Sequence, residues 1–182
     1  MQKTFLIISG LPGSGKTTLA YKLSPVFGLS VIDKDEILDH LFDSKGVGDA
    51  AWRRRLSRES DLILQQKAEA SSGAVLSSFW HAPGMPADSG TPTDWIDPIA
   101  HQVVTVHCDC DITTAVERFL KRNRHHGHLD GNSSYEQLIT DFEHLHRLDP
   151  ITVGERVVVN TSTETNVELV VRQIRNHLHA RR

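Results

Sequence analysis

Residues 10–18 read GLPGSGKTT, and no other stretch of the chain constrains its folding as tightly. The spacing G-x-x-x-x-G-K-T falls on Gly10, Gly15, Lys16 and Thr17. It follows the apolar run Phe5-Leu6-Ile7-Ile8 and leads into a helix-competent stretch at 17–23. A strand, a glycine-rich turn and a helix in that order make a phosphate-binding P-loop. Glycines let the backbone curl around an anion, and the helix start adds free N–H groups and the positive end of its dipole. Lys16 is placed to reach the β- and γ-phosphates, and the Thr17 hydroxyl to ligate Mg²⁺. Pro12 stiffens the loop and Ser14 adds a hydroxyl donor. The expected ligand is a nucleoside triphosphate, taken to be ATP, with Mg²⁺; Gly13 and Thr18 complete the nucleotide-binding set.

The rest of the chain agrees with a single α/β domain over residues 1–182. Strand-like apolar runs at 4–9, 30–33, 74–79, 102–108 and 156–160 alternate with helical patterns. The helices are expected at 16–24, 34–42, 50–72, 112–123, 135–148 and 166–180. Alternation of this kind implies a parallel sheet. A stretch at 80–97, with Pro83, Pro86 and Pro92 inside and Pro98 at its border, follows the third strand. It therefore falls at the carboxyl edge of the sheet, where such folds bind ligands. A second polar stretch, 125–134, separates two helices. The net charge of −3 argues against a dedicated nucleic-acid binder. No apolar run is long enough for a membrane span, and the first strand leaves no room for a signal peptide, so a cytoplasmic protein is expected. Cys108 and Cys110 are too few for a disulfide framework.

Two further groups of residues bear on chemistry. The second strand ends Val31-Ile32-Asp33-Lys34-Asp35, close to where the P-loop opens. Transfer of a phosphoryl group to a hydroxyl needs a group that orients the hydroxyl and accepts its proton. Asp35 is the candidate, with Asp33 on the metal; helix N-capping is the competing use of an aspartate there. Lys34 between them is expected to point to solvent. The segment ERFLKRNR places Arg118 and Arg122 four apart on one helical face, with Arg124 at the loop edge. Arginines closing over a nucleotide neutralise charge on the transferred group. A solvated basic helix end is the alternative.

With these residues in view, the chain resembles the small-molecule kinases of the nucleoside-monophosphate-kinase-like P-loop fold. That group includes shikimate and gluconate kinases, chloramphenicol phosphotransferase and AAA-33-type ATP-binding kinases. The resemblance covers nearly the whole chain. VIDKDEI is similar to a D-x-D stretch whose second Asp holds the acceptor hydroxyl, and ERFLKRNR to a lid-helix E-R-x-x-x-R pattern. The resemblance implies a five-stranded parallel sheet in order 2-3-1-4-5 flanked by helices. It also implies a lid near 122–134, acceptor-side regions near 34–72 and 80–98, and a loop near adenine that contains Thr161. A faint echo of a G-E-x-x-F-R segment brings Arg53 toward an anionic acceptor, against an exposed basic helix start.

The chain departs from shikimate kinases where a glycine-rich run should follow the third strand; here it reads Ser77-Ser78-Phe79-Trp80-His81. Trp80 and Trp95 either line an acceptor pocket or pack in the core, and His81 is placed to orient an acceptor group. His125, His126 and His128 lack partners at metal-ligand spacing and are expected to be solvated. The reading is an ATP- and Mg²⁺-dependent kinase of a small hydroxyl-bearing molecule, a metabolite or an antibiotic. A polynucleotide or tRNA-end kinase, supported by Arg53-Arg54-Arg55 and Arg58, is one alternative. A nucleotide-dependent regulatory module is the other.

Overall fold

Every residue from Phe5 to Ser9 is buried, because the first strand, β1 (Thr4–Gly10), lies at the centre of the sheet. The structure, a computed structural model, describes residues 3–130 and 133–179. Gly131 and Asn132 of the expected lid, and Ala180 at the expected end of the last helix, lie outside the described residues. After β1 come α1 (Lys16–Phe27), β2 (Ser30–Asp33), α2 (Lys34–Lys45), α3 (Ala50–Ala70), β3 (Gly73–Ser77) and a short α4 (Ile96–Ile99). β4 (Gln102–Asp109), α5 (Ile112–Lys121), a 3-10 turn (His126–His128), α6 (Tyr135–His146), β5 (Glu155–Asn160) and α7 (Val167–His179) complete the chain. The five strands are all parallel in the order β2-β3-β1-β4-β5, as the resemblance implies.

Alternation along β1 divides the core in two. Leu6 and Ile8 pack on one face against Leu19 and Leu23 of α1 and Ile174 of α7. Phe5 and Ile7 pack on the other against Leu64 of α3, Ile96 and Trp80. Fully burying a Leu, Ile or Phe side chain stabilises by ~1.5–3 kcal/mol, so these two layers hold the carboxyl ends of the strands rigid. Away from the cleft, the buried Thr105 hydroxyl donates to the Val153 carbonyl at 2.9 Å and accepts from the Val153 N–H at 3.1 Å.

Two differences from the sequence expectations have local causes. Helix α1 continues through Pro25 instead of stopping at 24. A proline there loses only the bond to the carbonyl four residues back, on Tyr21, which faces solvent. Helix α5 stops at Lys121, and Arg122 has extended dihedrals (φ −71°, ψ 137°). Arg118 and Arg122 therefore do not share a helical face, and their guanidinium groups diverge.

Candidate active site

The P-loop joins β1 to α1, and its glycines serve different ends. Gly13 has φ 78°, and a Cβ there would lie 2.2 Å from the Ala115 carbonyl oxygen, so the loop is pressed against α5. Gly15 caps α1 with φ 88° and has no side chain to bond the first-turn N–H groups. A Cβ at Gly15 would meet nothing within 4 Å. Free N–H groups therefore open onto free space at the positive end of a helix, the arrangement that receives an anion. The Ser14 hydroxyl is buried there without a partner. Gly10 and Leu11 lend their carbonyls to Lys16 Nζ at 3.0 and 2.8 Å. Burial outweighs the pull of nearby negative groups and lowers the Lys16 pKa below the ordinary lysine range.

At the end of β2, Asp33 is buried and serves two neighbours. One oxygen accepts from the Asp35 N–H at 2.8 Å, capping α2, and the other from the Thr17 hydroxyl at 2.8 Å. Asp33 therefore caps α2 and at the same time holds its second oxygen against Thr17 of the P-loop. Burial, and then the charge of Asp35, push its carboxyl above the usual range despite these bonds. A hydroxyl and a carboxylate side by side form a hard-oxygen donor pair, which fits Mg²⁺.

Asp35, in the first turn of α2, opens to solvent within the same cleft. Its carboxylate meets Arg124 Nη2 at 2.5 Å. Burial by the surrounding walls pushes its pKa up, but Arg124 first, and then other nearby cations, more than offset this and hold the carboxyl below the usual range. Arg124 also reaches Asp130 at 3.0 Å, as does Arg122 at 3.0 Å, while Arg122 lies over the Phe119 ring. Sequence reasoning left Arg124 at the loop edge; nothing local marks it as the partner of a carboxylate 89 residues earlier. The segment that carries it is docked on α2. His128 Nε2 meets Asp39 at 2.6 Å, His125 stacks on Phe42 with ring centroids 5.2 Å apart, and Gly127 abuts the same ring. His128 is thus buried, not solvated as expected, because α2 offers it both a carboxylate and an aromatic edge.

Arg118 turns the other way. It donates to the carbonyls of Thr161 and Ser162 at 2.7 and 2.9 Å. With Thr161, Ser14, Gly15 and Thr18 it lines a cavity of about 200 Å³ beside the P-loop. On the opposite side, Asp35, Leu38, Arg53, Arg54, Phe79 and Gly90 line a cavity of about 380 Å³. The Arg53 Nε is buried there without a partner. Lys34, expected in solvent, is only 8% exposed. Its ammonium pairs with Asp61 at 2.6 Å and bonds Thr91 at 3.1 Å. Arg58 meets the same Asp61 at 2.9 Å, the Gly90 carbonyl at 2.9 Å and the Asp88 carbonyl. This network ties the segment after β3 to α2 and α3. Trp80 packs in the core with its indole N–H on the Ile8 carbonyl at 2.8 Å. His81 bonds the Ser89 carbonyl at 2.7 Å and lines neither of these two cavities. Phe79, next to Trp80 in the chain, lines the 380 Å³ cavity, and Trp80 does not.

Comparison with known proteins bears on the family and the fold. Residues 5–134 match the sequence model of a family described as an AAA domain. The chain is similar in fold to the crystal structure of a presumed kinase from Chloroflexus aurantiacus (TM-score 0.75, 24% identity, 99% of this chain and 98% of that one). It is also similar to a shikimate kinase from Bacteroides thetaiotaomicron (0.60, 16%, 97% and 98%) and to a gluconokinase from Sinorhizobium meliloti (0.54, 15%, 97% and 92%). None of the curated proteins compared with the chain matches it significantly.

Proposed function

This chain belongs to the AAA domain family of the AAA-33 type, and on that premise we propose that it is an ATP-dependent phosphotransferase acting on a hydroxyl of a small molecule. The observation that carries the reading is the pairing of Asp35 with Arg124 at 2.5 Å, between the P-loop and the 380 Å³ cavity. A carboxylate kept ionised at the boundary of a phosphate site and a small-molecule cavity suits an acceptor hydroxyl.

The P-loop N–H groups, the Ser14 hydroxyl and Lys16 hold the phosphates. Thr17 and Asp33 hold Mg²⁺, which when bound neutralises charge on the phosphates. Arg118 and the Thr161–Ser162 backbone hold the base end of the nucleotide. Asp35 orients the acceptor hydroxyl and takes its proton as the phosphoryl group departs. A carboxyl held below its ordinary pKa is a weak base, so orientation is its larger share of the work; the loose transition state of phosphoryl transfer asks for little more. Arg122 and Arg124 face the charge that develops on the transferred group. Arg53, with its unpartnered Nε, meets a polar or anionic part of the acceptor. Of the four arginines that favoured a polynucleotide acceptor, Arg58 is engaged by Asp61 and two carbonyls and Arg53 lines the small cavity, which leaves Arg54 and Arg55 as the exposed pair.

The test is a library of hydroxyl-bearing metabolites and antibiotics incubated with ATP and Mg²⁺ and read by mass spectrometry for phosphorylated product. Once an acceptor is found, Asp35→Asn should bind ATP normally and lose transfer by at least about a hundredfold, the usual scale of acid–base assistance. Full transfer by that variant would remove Asp35 from the assigned role.

A further inference from the structure

We propose that the cavity behind the P-loop, on the face of the sheet shared by β1, β4 and β5, is a second small-molecule site that takes an uncharged, ring-bearing organic molecule. The cavity measures about 350 Å³, within the range of small-molecule sites. Its floor is the sheet face at Ser9, His107 and Val158; one wall is Trp80, Ala82 and Met85 after β3. Leu148, Pro150 and Ile151 after α6 form the other wall. Asp35 and Arg53 do not line it, so it is separate from the proposed acceptor cavity, and Phe79 is the wall the two have in common.

Its chemistry follows from what is buried and what is not. Trp80 spends its indole N–H on the Ile8 carbonyl and has no polar group left to offer. Cys108 and Cys110 are buried, and burial pushes the Cys108 thiol up to about 12, so it stays neutral. The inner polar pair is Ser9 and His107, joined at 3.0 Å between the Ser9 hydroxyl and Nδ1. Among the described residues the His107 Nε2 makes no hydrogen bond, which leaves one ring nitrogen for a ligand. Burial lowers the His107 pKa, so its ring is neutral near pH 7. The charged members, Asp109, Asp149 and Arg156, are exposed at the mouth and of opposite signs. An ionised ligand would lose its hydration inside and meet, at these exposed residues, a like charge as well as a counter-charge, each screened by solvent. A neutral ring with one polar atom would fill the apolar walls and meet His107. The occupant would also touch Leu11, whose carbonyl holds Lys16.

The test needs neither nucleotide nor acceptor, so its outcome is independent of the phosphotransfer reading. Indole, benzyl alcohol and cyclohexanol are titrated into the free protein by ligand-observed NMR, with benzoate and benzylamine as charged counterparts. Saturable binding of the neutral probes, at least tenfold weaker for the charged ones, is expected. Ala82→Trp should fill the cavity and abolish the signal while Arg53→Ala leaves it unchanged. Val158→Trp, on an exposed edge-strand position, provides a second filling variant if Ala82→Trp does not fold. His107→Leu should weaken indole more than cyclohexanol. Absence of saturation, equal binding of charged and neutral probes, persistence of binding in the filled variants, or loss of binding in Arg53→Ala would each overturn the proposal.

Discussion

Gly13 and Gly15 belong to one motif and have similar φ angles, yet replacing each with alanine should produce different defects. Both have φ in the left-handed region, 78° and 88°, where a Cβ costs ~1–2 kcal/mol. At Gly13 the added Cβ would also fall 2.2 Å from the Ala115 carbonyl oxygen and 3.1 Å from the Phe119 nitrogen. Those are backbone atoms of α5, which can yield only if the helix moves, at ~1–3 kcal/mol for overpacking. Gly13→Ala should therefore lose about 2–5 kcal/mol, and Gly15→Ala only about 1–2 kcal/mol. At ~2–4 °C per kcal/mol for a chain of this size, the melting temperatures should fall by ~4–20 °C and ~2–8 °C respectively. Nucleotide binding should separate from stability. Gly15 faces open space where the phosphates are proposed to lie, so its Cβ should remove ATP binding from a protein that is nearly as stable as the wild type. Differential scanning fluorimetry with and without ATP and Mg²⁺ reads both. Equal destabilisation by the two variants would mean that α5 does not press on Gly13, and ordinary ATP-induced stabilisation of Gly15→Ala would put the phosphates elsewhere.

Three other predictions rest on single contacts. Lys34→Met should destabilise by about 2–3 kcal/mol in urea unfolding, below the ~3–5 kcal/mol for breaking a buried pair because Arg58 still faces Asp61; no change would place the ammonium in water. Arg124→Ala removes the cation that most holds down the Asp35 pKa, so the acidic limb of a kcat/KM profile should move to higher pH, and an unmoved limb would count against the pair. Burial lowers the His128 pKa, so below its unfolded-state value of 6.5 the unfolded chain holds more protons than the folded one and stability falls with falling pH. His128→Asn should flatten that slope in urea titrations below pH 6.5; an unchanged slope would exclude His128 as its source.

The elements legible in the sequence are those whose signals are local. The P-loop is specified by glycines within eight residues of one another, and the strands by apolar runs that lie between turn and capping residues. Asp33 and Asp35 could be placed at a strand end because a strand end is a local event. What the sequence misjudged depends on partners far along the chain. Lys34 looked like a solvated lysine until Asp61, 27 residues on in α3, and Thr91, 57 residues on, enclosed it. Helical spacing set Arg118 and Arg122 on one face, but the end of α5 at Lys121 sent one to the Thr161 loop and the other to Asp130. Pocket and core were both open for Trp80; it packs in the core layer, where the Ile8 carbonyl satisfies its one polar atom, and it also lines the cavity behind the P-loop. Alone, the sequence determined that the chain forms a phosphate-binding loop on a parallel sheet, since backbone conformation and hydrophobic periodicity are set by near neighbours. The tertiary structure alone decided which charges face one another across the cleft, because a charged side chain adopts the position where distant groups best replace the water it gives up.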